Sequence, residues 1–129
     1  MSNLNQNFIA GEWLAGVDEI ANINPSDLSD VIGQYAQAGA DQLQQALDSA
    51  ARAQREWAQS GLERRYNALM AIGNELMARA DELGTLLARE EGKTQPEGKG
   101  EVYRSGQFFT YYAAEALRQI GDTADSVRD

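Results

Sequence analysis

The chain has 129 residues, carries 20 acidic against 11 basic side chains for a formal charge of -9, and contains neither Cys nor His. That length holds one small domain, and the missing residue types exclude a Cys nucleophile, a His general base, a Ser-His-Asp triad, a Cys/His zinc site and any disulfide framework. The acidic excess argues against a nucleic-acid partner, and no apolar run is long enough to span a bilayer. The polar opening Met-Ser-Asn-Leu-Asn-Gln-Asn does not resemble a signal peptide, so the expectation is a soluble cytoplasmic protein.

Phe8-Ile9-Ala10-Gly11-Glu12-Trp13-Leu14 reads as a hairpin, with Ala10-Gly11 supplying the turn. Gly16 to Glu19 reads as a loop. Ile20 to Asn24 is a predicted strand ended by Pro25, and Val31 to Ala36 returns as another after the turn-rich Ser26 to Asp30. Strands this short are marginal alone and must pack on something.

From Asp41 the period becomes helical: Leu43, Ala46, Leu47, Ala50, Ala53 and Trp57 fall on one stripe. Ser60 with Glu63 has the form of a capping box that starts a second helix. Its stripe is Leu62, Tyr66, Leu69, Ile72, Leu76 and Ala80, and a break is expected near Ala80, with Asp81 as a cap for a short third helix. The adjacent Arg64 and Arg65 read as ordinary surface residues.

Gly92-Lys93-Thr94 has the appearance of a phosphate loop, the tail of G-x-x-x-x-G-K-S/T, but the position of the first Gly is Leu87 and a helical stripe precedes it where a strand is required. Gly98 and Gly100 likewise begin a G-x-G-x-x-G whose last position is Tyr103. The segment reads better as a stop and a start. Gly92 suits the left-handed residue after a helix, and Thr94 with Glu97 forms a capping box with Pro96 in the first turn. The last helix then runs from about Pro96 to Ile120, with Val102, Phe109, Tyr112, Ala113, Ala116 and Ile120 on one face, Phe108 and Tyr111 beside it, and Gly121 as its stop. Trp57 and Phe109 are expected to anchor the core, each costing about 3–5 kcal/mol on truncation to Ala.

The sum is an α-rich α+β unit: a β ribbon over 1–37, three or four helices over 40–121, and a polar tail over 122–129. Strands and helices do not alternate, so no doubly wound sheet is expected.

These residues resemble a family. Phe8 to Trp13, then Asn24-Pro25 followed by Val31-Ile32-Gly33, is similar to the N-terminal hairpin, Asn-Pro turn and strand of NAD(P)-dependent aldehyde dehydrogenases. Ala46 to Trp57 and Arg65 to Leu76 resemble that family's first two helices. Glu90-Glu91-Gly92-Lys93, Glu101-Val102 and Tyr111-Tyr112-Ala113 resemble the segment leading into its long helix. The wording of Arg89 to Thr94 and of Glu101 to Arg104 is most similar to the semialdehyde branch, such as 2-oxoglutarate semialdehyde dehydrogenase.

The resemblance implies a single partial domain, the N-terminal helical part of that fold without its Rossmann sheet. It implies oxidation of an aldehyde to an acid through a Cys thioester with NAD or NADP. The catalytic and cofactor-binding residues all lie outside the matched region, so none is carried over, and this chain alone is predicted inactive. It further implies a monovalent cation, Na+ or K+, held by backbone carbonyls of Asn22 and Ile23 and by the Glu90 side chain, with oxygen ligands that suit a hard cation. It places Glu101 and Arg104 at the substrate entrance, where Arg104 would suit a substrate carboxylate; otherwise Arg104 is an ordinary partner of Glu101 on a wet helix face. The implied partners are the remainder of the dehydrogenase, a small aldehyde, and further copies in a homo-oligomer. The competing reading is a non-catalytic helical interaction or assembly module, supported by the wide apolar face of the last helix, which needs a partner surface.

Overall fold

The computed structural model describes residues 4–118 and 121. Strands β2 (Asn7–Ile9) and β3 (Glu12–Leu14) form the expected hairpin, with Phe8 opposite Trp13 and Ile9 opposite Glu12. Both turn residues are left-handed, Ala10 at φ 56 and Gly11 at φ 88, the combination whose twist matches the flanking strands. A second sheet has the order β1-β5-β4. Strand β4 (Asp18–Ile23) runs antiparallel to β5 (Val31–Gln37), and β1 (Leu4–Asn5) runs parallel to it on the other side. Strand β1 is too short to leave a period in the sequence. Strand β4 takes in Asp18 and Glu19, expected in a loop, because they pair with Gln37 and Ala36; they point to opposite faces, and both faces are exposed at this end of an edge strand.

Four helices follow: α1 (Ala40–Gln59), α2 (Leu62–Ala78), α3 (Ala80–Glu91) and α4 (Gln95–Ala116). The break before Ala80 is present, but Arg79 occupies the cap position and Asp81 lies within the first turn of α3. The Ser60–Glu63 box does not form. Ser60 is spent on the end of α1, its hydroxyl donating to the Trp57 carbonyl at 2.7 Å, and α2 starts from Gly61. Arg65, expected on the open surface, donates from Nη2 to the carbonyls of Trp57 at 3.1 Å and Ala58 at 2.6 Å, satisfying orphan acceptors at a helix end. The Gly92 stop and the Thr94–Glu97 box are both present, with Gly92 at φ 72 and the Thr94 amide donating to Glu97 Oε2 at 3.1 Å. Helix α4 closes at Ala116, earlier than the expected Ile120 to Gly121 stop. Ile120 itself and the 122–129 tail lie outside the described residues. Among the described residues no helix is long and apolar enough to cross a membrane.

Helix α4 lies against both α2 and α3, and glycines set how closely. A Cβ on Gly73 would sit 2.7 Å from the Gly106 carbonyl oxygen, and one on Gly106 would sit 2.7 Å from that of Gly73. Gly84 and Gly98 meet in the same way where α3 crosses α4. The buried apolar side chains around these crossings are small: Ala80, Ala88, Val102 and Ala113. The expectation that Trp57 and Phe109 anchor the core fails, since they are 44% and 36% exposed. Helix α1 has no buried residue, and its Leu43, Leu47 and Trp57 open outward. The periodicity identified an apolar face correctly but not a surface to cover it, and backbone-to-backbone packing at glycines took the place assigned to the aromatics.

The three-stranded sheet is clipped to the end of α3. Arg89 reaches Asp30 with two bonds, Nε to Oδ2 at 2.9 Å and Nη2 to Oδ1 at 2.6 Å. Asn24 Nδ2 donates to the same carboxylate at 3.2 Å, and Ser26 Oγ donates to the Gly92 carbonyl at 2.9 Å. Gly92 is needed twice over: its φ of 72 disfavours a side chain, and a Cβ would sit 2.9 Å from Pro25 Cγ. The bond from Arg89, aided by Asn24, holds the Asp30 carboxyl down to about 2.

Two predictions follow from this packing. Gly106→Ala should destabilise the chain by about 1–3 kcal/mol through overpacking, whereas Gly100→Ala, whose Cβ meets nothing within 4 Å, should stabilise it by about 0.5–1 kcal/mol through helix propensity; urea unfolding of both variants checks the pair. The folded-state value of Asp30 is depressed, so its contribution is fully present above the ordinary carboxyl value of 3.8 and is lost as pH falls through about 2. Asp30→Asn should therefore melt below the parent at neutral pH, with the gap closing between about pH 4 and pH 2 in thermal melts.

Candidate functional site

Glu90 stands in the last turn of α3, against the face of the three-stranded sheet. Asn22 pairs with Gly33 across β4 and β5, and Tyr35 lies two residues further along β5 on the same face. The structure brings these groups onto one carboxylate oxygen: Asn22 Nδ2 donates to Glu90 Oε1 at 2.8 Å and the Tyr35 hydroxyl donates to it at 3.3 Å. Glu90 is thus part-buried and engaged rather than a solvated helix end. Ile23 follows the register shift between Asn22 and Ile23, where β4 steps from Gly33 to Val31 on its neighbour. Of the three residues expected at a cation, Asn22 and Glu90 are in direct contact, and they meet through the Asn22 side chain. Tyr35 was missed in the sequence; its signal was a phenol two residues beyond a strand glycine, on the face that the Asn-Pro strand shares.

The charge around Glu90 bears on what the corner can hold. Its two donors are neutral. The neighbouring cations are committed elsewhere, Arg89 to Asp30 and Lys93 to Glu91 and Glu101. A carboxylate at a helix C-terminus also lies at the negative end of the dipole. Among the described residues no three His, Cys, Asp or Glu side chains gather into a cluster. One carboxylate with neutral oxygens around it fits a singly charged hard cation better than a divalent one.

The second expected pair is not brought together. Glu101 accepts from Lys93 Nζ at 2.7 Å, and this bond first, then that to Glu91, raises the Lys93 ammonium above its ordinary value. Arg104 is therefore not the i, i+3 partner of Glu101, and among the described residues it forms no salt bridge. Val102 and Gly106 are the buried positions on either side of it, and two residues are roughly 200° around a helix, so Arg104 points away from the packing. It lines an open cleft of about 330 Å³ with Gln107, Phe108, Tyr111 and Tyr112. The Tyr111 and Tyr112 rings meet edge-on at 5.3 Å. A guanidinium beside exposed aromatic rings can take a carboxylate bidentately while the rings hold the apolar part of the same molecule.

Comparison with known proteins agrees with this architecture. Residues 13–129 match the model of the aldehyde dehydrogenase family. The chain is 33% identical to the alpha-ketoglutaric semialdehyde dehydrogenase of Bacillus subtilis (strain 168), covering 93% of this chain and 25% of that protein. It is 34% identical to the NADP(+) succinate-semialdehyde dehydrogenase of Escherichia coli (strain K12), covering 92% and 25%. The crystal structure of an aldehyde dehydrogenase from Brucella melitensis biovar abortus 2308 superposes with a TM-score of 0.91 at 28% identity, over 97% of this chain and 26% of that one. The chain thus spans about a quarter of the length of these relatives. Its helices and short sheets are an N-terminal portion of their fold, and the chain belongs to the aldehyde dehydrogenase family.

Proposed function

We propose that the chain serves as the N-terminal part of an NAD(P)-dependent dehydrogenase that oxidises a carboxylate-bearing semialdehyde to the corresponding acid through a Cys thioester. The observation that carries the substrate class is Arg104, free of any salt bridge among the described residues and set beside the aromatic cleft. The Bacillus subtilis and Escherichia coli relatives are semialdehyde dehydrogenases whose named substrates carry a carboxylate as well as the aldehyde. Arg104 takes that carboxylate at the substrate entrance, and Glu101, through Lys93, fixes the start of the same helix.

The remaining chemistry belongs to residues outside these 129. The chain has no Cys, and among the described residues neither a phosphate loop nor a parallel βαβ unit is present. The residues present do not fit a dinucleotide, and alone they are inactive. Na+ or K+ is assigned to Glu90 with the backbone carbonyls of Asn22 and Ile23, where it steadies the junction of sheet and helices. The apolar faces of α1 and α4 are covered by the remainder of the enzyme, which works as a cytoplasmic homo-oligomer.

A chimera tests the reading: these 129 residues replace the matching quarter of the Bacillus subtilis enzyme. The chimera should oxidise 2-oxoglutarate semialdehyde with NAD or NADP. Arg104→Ala should raise its KM about tenfold, the loss of one charge-assisted contact, and leave an uncharged aldehyde of equal length unaffected. An equal effect on both aldehydes would remove Arg104 from substrate recognition. The isolated chain should bind a hydrophobic dye and associate with rising concentration. A monodisperse monomer that binds no dye would favour the stand-alone interaction module instead.

A further inference from the structure

We propose that Tyr35 is a positioning residue of the cation corner, its hydroxyl fixing the Glu90 carboxylate so that one oxygen remains for a monovalent cation. The inference rests on the assignment of Na+ or K+ to Glu90 made above, and concerns a residue which that assignment does not include.

Two neutral donors converge on a single oxygen of Glu90: Asn22 Nδ2 at 2.8 Å and the Tyr35 hydroxyl at 3.3 Å. Among the described residues nothing donates to Oε2. A carboxylate held by both donors on one oxygen cannot rotate freely, and its second oxygen keeps its lone pairs for a ligand. Neither donor neutralises the charge, so the site stays attractive to a cation, whereas an Arg or Lys partner would cancel it. The hydroxyl contact is long for an O–H···O bond. Its contribution is therefore orientation more than strength.

Gly33 explains how Tyr35 gets there. Asn22 faces Gly33 across the ladder, and the Tyr35 ring leans back along its own strand over that glycine. A Cβ on Gly33 would sit 3.3 Å from Tyr35 Cε2 and 2.9 Å from Asn5 Nδ2. A side chain at 33 would thus crowd the ring and the amide of the neighbouring strand together. Glycine costs strand stability, and here the empty space is filled by the ring that reaches Glu90.

Thermal melts of the chimera described above in sodium or potassium chloride, against tetramethylammonium chloride at equal ionic strength, read the cation-specific rise in Tm. A titration followed by 23Na line broadening at fixed temperature reads binding without a melting transition. Tyr35→Phe keeps the ring and removes only the hydroxyl. It should need about three- to tenfold more Na+ for the same broadening, the effect of one long, weak hydrogen bond, and should lose much of the Na+-specific rise in Tm. Gly33→Ala, which displaces the ring, should shift the titration in the same direction. A Tyr35→Phe variant that melts lower by the same amount in every salt, with an unchanged Na+ titration, has only a structural role there and overturns the proposal while leaving the cation assignment standing. A parent chimera with no difference between Na+, K+ and tetramethylammonium overturns both.

Discussion

The structure depends on the last turn of α3. Within four residues, Arg89 holds Asp30, Glu90 accepts from Asn22 and Tyr35, and Gly92 both reverses the chain and accepts from Ser26. A three-stranded sheet of this size is marginal by itself. The helices pack mainly on one another, and α1 contributes no buried side chain. The polar clip at 89–92 is what turns a sheet and a helical layer into one scaffold. Hydrogen bonds that are part-buried and charge-assisted are the stronger ones, and here they join segments about sixty residues apart in sequence.

The layer itself holds by proximity more than by bulk. At Gly73–Gly106 and Gly84–Gly98 the helix backbones approach until a single methyl would not fit. Contact at that range gains dispersion along the whole crossing and leaves little freedom to shift. Large side chains are consequently turned away from the layer, and Phe108, Tyr111 and Tyr112 are all more than half exposed. This arrangement suits a layer whose second side meets another surface, as the dehydrogenase reading requires.

Much of this was legible in the residues, and the limits have physical causes. Signals that act within a few residues read correctly: the Ala10-Gly11 turn, the Gly92 stop and the Thr94–Glu97 box are decided by local backbone geometry. The Ser60–Glu63 box has the same spelling and failed, because the carbonyls of the preceding helix and Arg65 from the following one competed for Ser60. Periodicity found the apolar faces of α1 and α4 but cannot say what covers them, so Trp57 and Phe109 were placed in a core they do not enter. The glycines were the opposite case. Gly98 drew notice as part of a nucleotide pattern, whereas its use is close packing, which depends on a partner helix that no local pattern names.

The same geometry accounts for why two separated positions stand out chemically. Glu90 ends a helix that α4 holds at the Gly84–Gly98 crossing, and Arg104 sits on α4 between two positions that packing has fixed. Each is aimed by glycine-tight contacts on one side and, among the described residues, left without an oppositely charged side chain on the other. Among the described residues Arg52, Arg55 and Arg65 also form no salt bridge, and what sets Arg104 apart is its place beside Phe108, Tyr111 and Tyr112. Glu101 is close enough in sequence to pair with Arg104 but is held by Lys93, which the Gly92 turn and the Thr94 cap deliver to it. The stop and start at 92–97 therefore do more than end one helix and begin another. By spending Lys93 on Glu101, that corner leaves the guanidinium of Arg104 available beside the aromatic cleft.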